Sequence, residues 1–185
     1  MNKRIMVTSF FIIIGLFVVA FNVYAGCKAS EMKKVYVVQI RGSDVGETRM
    51  VPDIDGDGKL DEANCFDIEM VDLTTNKVIG TATDCLSNVK KVGDGLALVG
   101  TTYFNFENVT IVSRGNTSVQ PATHEYKGVT HITGAAPSGG NDIISGTGEF
   151  EGATGSVRLS GMVDMSNTMN ENIIKFDCIF VITLE

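Results

Sequence analysis

The stretch that decides the fold is Gly146-Thr147-Gly148-Glu149-Phe150-Glu151-Gly152-Ala153-Thr154-Gly155. Four glycines surround a single aromatic residue, and an alternating apolar run follows at residues 156–165. Glycine reaches backbone conformations that other residues avoid. The stretch therefore predicts a tight corner between two strands, in which the side chain of Phe150 packs against the core.

Strand-like patterns extend outward from this corner through most of the chain. Alternating or β-branched runs predict strands at residues 34–41, 65–72, 77–84, 96–106, 109–113, 126–133, 156–165 and 173–184. Segments 115–123 and 134–142 are rich in Gly, Ser, Asn, Thr and Pro and predict loops. About eight strands with one apolar face indicate an all-β protein. It is either a closed antiparallel barrel, which leaves no strand edge unpaired, or a two-sheet sandwich.

The glycine corner resembles the G-T-G-x-F-x-x-A-x-G segment of dirigent proteins and of the wider group of allene-oxide-cyclase-like β-barrels. The resemblance is specific at residues 146–155 and extends more loosely over residues 96–165. It implies a closed barrel and an apolar lumen, in which a few charged or phenolic groups steer a reactive intermediate through cyclisation or radical coupling. Plant dirigent proteins often carry Arg where this chain has Thr154, so that charge has no counterpart here.

Candidate catalytic groups for such a lumen are polar residues on or beside the later strands. They are Tyr103, Glu107, Arg114, Glu125, Tyr126 and Arg158. Patterns typical of other enzymes are missing, since the sequence has neither a G-x-S-x-G nucleophile motif nor an H-E-x-x-H zinc motif. Its two histidines, His124 and His131, lie in or beside loop-like segments. The sequence leaves open whether the protein is an enzyme; if it is, the resemblance implies a cyclase or isomerase.

An acidic loop at residues 53–64, DIDGDGKLDEAN, has the D-x-D-x-D-G beginning of a calcium-binding loop. The predicted ligands are Asp53, Asp55, Asp57, the backbone carbonyl of Lys59, Asp61 and Asn64. Asn64 stands where an EF-hand has a bidentate Glu, which predicts weak calcium binding, with Kd on the order of 10⁻⁴ to 10⁻³ M. The role of the ion would be structural. The alternative is a solvated acidic turn without an ion.

Four cysteines in a chain predicted to be exported indicate two disulfides. In a hairpin centred on Thr75, residues whose numbers sum to 150 face each other, so Cys65 lies opposite Cys85. Cys27 and Cys178 then remain, and their bond would join the N-terminal segment to the last strand. A zinc site is the alternative, but the usual closely spaced cysteine and histidine ligands are absent.

Residues 1–25 are predicted to be a secretory signal peptide. Lys3 and Arg4 precede a long apolar run, which is followed by the small or apolar residues Val23-Tyr24-Ala25 before Gly26. Two alternatives are a retained membrane anchor and a lipoprotein acylated at Cys27. Cleavage predicts a single domain over residues 26–185, periplasmic or extracellular, without a membrane span.

The predicted mature chain carries 13 basic and 22 acidic residues, hence a net charge of −9. Such a surface repels nucleic acid and anionic membranes, so neither is predicted as a partner. Three functions remain: binding of a small apolar ligand, cyclisation or isomerisation of an apolar substrate in the lumen, and a structural role in the cell envelope. An open lumen with a buried polar group favours the first two, whereas a lumen filled by Phe104, Phe106, Phe176 and Phe180 favours the third. The sequence does not determine the oligomeric state.

Overall fold

The structure is a computed structural model that describes residues 33–122, 129–134 and 140–185, with the side chains of residues 131–134 left out of the description. The predicted signal peptide lies outside these ranges. So do Cys27, His124, Glu125 and Tyr126.

Strands make up nearly all of the described chain. They are β1 (Lys34–Val45), β2 (Glu47–Val51), β3 (Asp61–Asp72), β4 (Lys77–Val92), β5 (Gly95–Asn105), β6 (Thr110–Pro121), β7 (Val129–Gly134), β8 (Asn141–Gly146), β9 (Gly155–Asp164) and β10 (Ile173–Leu184). A 3-10 helix, Gly148–Phe150, precedes β9, and the short helix α1, Thr168–Glu171, precedes β10. The all-β prediction is confirmed.

The strands close into an antiparallel barrel with eight positions. The order around the wall is β1, β10, β9, then β7 and β8 together, then β6, β5, β4 and β3. β7 and β8 share one position because they pair with successive parts of both β6 and β9. β2 continues β1 along β3, and the pairing of β1 with β3 completes the circle. This confirms the closed barrel and excludes the two-sheet sandwich.

The glycine corner forms as predicted and closes one end of the barrel. Gly155 has a φ of +142°, and a Cβ atom there would lie 2.0 Å from the carbonyl oxygen of Thr183, so only glycine fits. Phe150 is buried. Its ring lies 5.9 Å from the ring of Tyr36 and 6.0 Å from that of Phe106, measured between centroids. These three aromatic residues seal this end of the lumen.

Several predicted element boundaries are wrong. Residues 115–121 belong to β6 rather than to a loop, because they pair with β5 on one side and with β7 on the other. β2 and β8 were not predicted, since each is short and lacks a sustained alternation. Asn141 and Asp142, placed in a loop by their composition, begin β8.

The core fills the half of the lumen next to the glycine corner. Phe104 and Phe180 meet edge to face there, with centroids 5.2 Å apart. Ile111 and Ile182 are fully buried in the same cluster. The half of the lumen on the other side of these rings is not filled, and it forms the candidate site.

Candidate functional site

The unfilled half of the barrel holds a cavity of about 280 Å³. Most of its wall comes from β4, β5, β6, β9 and β10, because every second residue of these strands points inward, and β3, β8 and α1 complete the lining. Most of the lining side chains are apolar, among them Leu86, Leu96, Leu98, Val119, Leu159 and Phe176.

The cavity opens to solvent beside helix α1. Met169 and Val89 both line the cavity, yet they are 94% and 52% exposed, so they mark its mouth. Asn64 also lines the cavity, and its side-chain amide donates a hydrogen bond to Asn172 Oδ1 at 3.0 Å. An apolar molecule therefore has an apolar route into the lumen, at the end opposite the glycine corner.

The cavity wall contains a buried carboxyl group, that of Asp84 on β4. The residue is only 8% exposed, and the hydroxyl of Thr102 donates a hydrogen bond of 2.8 Å to its Oδ1. Burial raises the pKa of Asp84 to about 6, because a carboxylate is less well solvated here than in water, and the bond from Thr102 offsets part of this rise. Asp84 is thus an acid that changes its charge near neutral pH.

Cys178 on β10 also lines the cavity and is buried. Burial raises the pKa of its thiol to about 12, and the negative charge of Asp84 adds to the effect. The thiol is therefore protonated at neutral pH and is a poor nucleophile; its Sγ lies 3.7 Å from the carbonyl oxygen of Met162, to which it donates. Cys27, its predicted partner, lies outside the described residues, so that disulfide stays a prediction.

Two further polar atoms are buried in this region without a hydrogen-bond partner among the described residues. They are Ser113 Oγ and Asn141 Oδ1. Asn141 lines the cavity and is 3% exposed. Gly115 makes room for it, since a Cβ atom at that position would lie 2.3 Å from Asn141 Oδ1.

The described candidates for lumen catalysis do not reach the cavity. Arg158 is exposed on β9, where its neighbours Val157 and Leu159 face the interior, and Glu107 is exposed in the turn after β5. Tyr103 and Arg114 lie on the outer face of the barrel, under the acidic loop. Their assignment to the lumen is therefore corrected: the buried acid is Asp84, which sequence reasoning missed.

A signal for Asp84 was present in the hairpin register. The numbering that places Cys65 opposite Cys85 also places Phe66 opposite Asp84. Because facing residues share one side of a sheet, Asp84 had to lie on the same side as a large apolar side chain.

The acidic loop brings three of its predicted ligands together on the outer face. The carboxylates of Asp53, Asp55 and Asp61 each offer one oxygen, and these oxygens lie within 4.8 Å of one another. Backbone N–H groups of Gly58 and Gly56 donate to Asp53 at 2.7 and 2.6 Å, which lowers the pKa of that carboxyl group. This cluster could hold a metal ion.

Two other predicted ligands lie apart from this cluster. The carboxylate of Asp57 accepts hydrogen bonds from the backbone and side chain of Lys59, at 2.8 and 2.9 Å. Asn64 is at the cavity mouth, bonded to Asn172. Because side chains alternate along β3, Asn64 points away from the outward-facing Cys65 and from the loop above it.

Arg114 fastens the acidic loop to the barrel wall. Its guanidinium group donates to the carbonyl oxygens of Pro52 and Asp53, each at 2.7 Å, and to Thr101 Oγ1 at 3.0 Å. The disulfide Cys65–Cys85 lies beneath the loop and confirms the predicted pairing. The outer face thus supports the three carboxylates with a disulfide and with the hydrogen bonds of Arg114.

No family model and no curated protein matches this chain. The likeness to allene-oxide-cyclase-like barrels accordingly stays a prediction from residues 146–155. None of the helices in the described ranges has the length and apolar character needed to cross a membrane.

Proposed function

We propose that the protein binds a small apolar ligand in the lumen of its barrel. The observation that carries this proposal is the cavity of about 280 Å³ with its apolar wall and open mouth. Its volume lies close to the lower end of the range of small-molecule sites, roughly 300 to 1,000 Å³.

The energetic cost of leaving a cavity unfilled supports a role for it in ligand binding. Protein interiors are normally filled as densely as organic crystals, and an empty apolar cavity destabilises the fold in proportion to its volume. The part of the cavity walled by Leu96, Leu98 and Leu159 offers water few partners, whereas an apolar ligand restores the missing contacts there. The partly open lumen also argues against a purely structural module of the cell envelope.

The outer loop and the disulfide suit a protein that works outside the cytoplasm. We infer that the cluster of Asp53, Asp55 and Asp61 binds calcium, since hard carboxylate oxygens are the ligands that calcium prefers. The ion would offset two of the three negative charges and hold the loop against β3 and β4. The Cys65–Cys85 bond is of a kind that persists in oxidising compartments, in keeping with export by the predicted signal peptide.

The test of ligand binding is a cavity-filling substitution with a matched control. Leu98→Phe places a larger side chain in the cavity, whereas Val99→Phe places the same side chain on the outer face of the same strand. We expect propylbenzene, followed by NMR titration, to bind the unmodified protein and Val99→Phe alike, and to bind Leu98→Phe at least about tenfold more weakly. Equal binding to all three proteins, or no binding at all, would refute the proposal.

A cyclase or isomerase is the second candidate function, and Asp84 is the observation that favours it. An acid with a pKa of about 6 inside an apolar cavity is well placed to exchange a proton at neutral pH. Its test is the exchange of the α-protons of 2-tetralone with D₂O, measured by NMR. Catalysed exchange by the unmodified protein that is lost in Asp84→Asn would support an enzyme. Exchange at the same rate in both proteins would exclude Asp84 as the proton carrier.

A further inference from the structure

Four polar side chains cross an otherwise apolar part of the lumen. Asp84 on β4 pairs with Thr102 on β5, and Thr102 pairs with Ser113 on β6. Asn141 on β8 lies beside Gly115 of β6, two residues beyond Ser113. We call this set, Asp84, Thr102, Ser113 and Asn141, the polar arc.

The polar arc contains hydrogen-bond acceptors that the described chain does not satisfy. Asn141 Oδ1 has no partner among the described residues, although the residue is 97% buried. Asp84 receives one hydrogen bond there, from Thr102 to Oδ1, and the residue lines the cavity. A buried acceptor without a donor costs about 1 to 3 kcal/mol. Asn141 Oδ1 and one oxygen of Asp84 therefore lack donors among the described residues, and the Ser113 hydroxyl lacks a partner as well.

The described part of the chain also provides no counterion for the charge of Asp84 in the cavity wall. Of the described residues that line the cavity, none is Lys, Arg or His. The groups that face Asp84 are the Thr102 hydroxyl on β5, the Phe66 ring on β3 and the neutral Cys178 thiol on β10. Above pH 6 the lumen thus holds a buried negative charge with no positive partner among the described lining residues, an arrangement that is strongly unfavourable by itself.

We propose that the lumen ligand is an apolar amine with a second hydrogen-bond donor, its ammonium group on Asp84 and its second donor on Asn141. This inference rests on the proposed lumen binding. An ammonium group supplies both the missing charge and up to three donors, whereas an alcohol leaves the charge uncompensated. Asp84 and Asn141 are separated by three steps between strands, about 14 Å along the curved wall. Two groups at opposite ends of one ligand therefore suit them better than a single donor.

Four related probes separate these contributions. Tyramine carries both the ammonium group and the second donor, 2-phenylethylamine only the ammonium group, 4-propylphenol only the phenol, and propylbenzene neither. The affinity of each is measured by calorimetry at pH 7.5 on the full chain, on Asp84→Asn and on Asn141→Ala.

We expect 2-phenylethylamine to bind at least about tenfold more tightly than propylbenzene, and this preference to disappear in Asp84→Asn. We expect tyramine to bind several-fold more tightly than 2-phenylethylamine, except in Asn141→Ala. The preference for the amine should also fade below pH 5, where Asp84 is protonated, while binding of propylbenzene stays unchanged.

Equal binding of propylbenzene and 2-phenylethylamine to the unmodified protein would overturn the amine assignment and leave lumen binding intact. Tighter binding of 4-propylphenol than of 2-phenylethylamine would also overturn it, in favour of a neutral donor. Failure of all four probes to bind would instead refute the proposed function itself.

Discussion

Asp84→Asn should remove a pH dependence from the stability of the barrel. The ordinary pKa of this carboxyl group is 3.8, and burial raises it to about 6 in the folded protein. Between these two values the folded chain holds a proton that the unfolded chain has released, so the free energy of unfolding decreases as the pH rises. A shift of about two pKa units, at 1.36 kcal/mol each, makes this decrease about 3 kcal/mol. Asn carries no charge at either pH, so the Asp84→Asn variant does not undergo this decrease in unfolding free energy.

The assay is urea unfolding of the ligand-free protein and of Asp84→Asn, from pH 4 to pH 8 in buffers without amines. The other titrating groups affect both proteins equally, so their difference in unfolding free energy isolates Asp84. We expect that difference to shift by about 3 kcal/mol in favour of the variant as the pH rises, with most of the change between pH 4 and 6. Asp142→Asn, at an exposed position on β8, is the matched control and should show no such shift.

A difference that stays constant within about 0.5 kcal/mol across this range would refute the reasoning. It would mean that Asp84 is as well solvated in the barrel as in the unfolded chain. The premise of an uncompensated buried charge would then be lost as well.

Three other perturbations address the outer face and the corner. Replacing both Cys65 and Cys85 by Ala should lower the free energy of unfolding by about 3 kcal/mol, since the bond closes a loop across a sequence separation of 20; the unmodified protein in reductant should then match the variant in urea. Arg114→Gln should reduce the rise in Tm caused by added calcium and leave the affinity for propylbenzene unchanged; a loss of propylbenzene binding would contradict the separation of the two sites. Phe150→Ala should lower the free energy of unfolding by about 3 to 5 kcal/mol, whereas the control Glu149→Ala, at an exposed position, should change it little. A decrease below about 1 kcal/mol for Phe150→Ala would mean that the ring does not seal the lumen.

Local patterns were enough to predict the glycine corner and the hairpin. At the corner the backbone itself demands glycine, as at Gly155, so the sequence carries the geometry directly. In the hairpin the predicted register holds from Cys65–Cys85 to Met70–Gly80, whereas a bulge after Met70 shifts the pairs next to the turn by one residue. Closure into a barrel was predicted from the number of strands with a single apolar face, together with the resemblance at the corner.

The lumen could not be predicted in the same way. Alternation tells which residues share one face of a strand, but in a barrel whose outer face is also partly covered it does not tell which face is interior. Tyr103 and Arg114 are on the covered outer face, because the acidic loop lies over them. β2 and β8 are short and lack a sustained alternation, so their segments carry little signal of their own.

The two candidate sites are separated by a wall only one residue thick. Cys85 faces the acidic loop, and the next residue back along the same strand is Asp84, which faces the cavity. Arg114 likewise sits between Ser113 and Gly115, both of which belong to the inner side. The same stretches of backbone therefore support the loop on the outer face and the cavity on the inner face. A substitution that shifts the backbone on one face will also shift the side chains on the other.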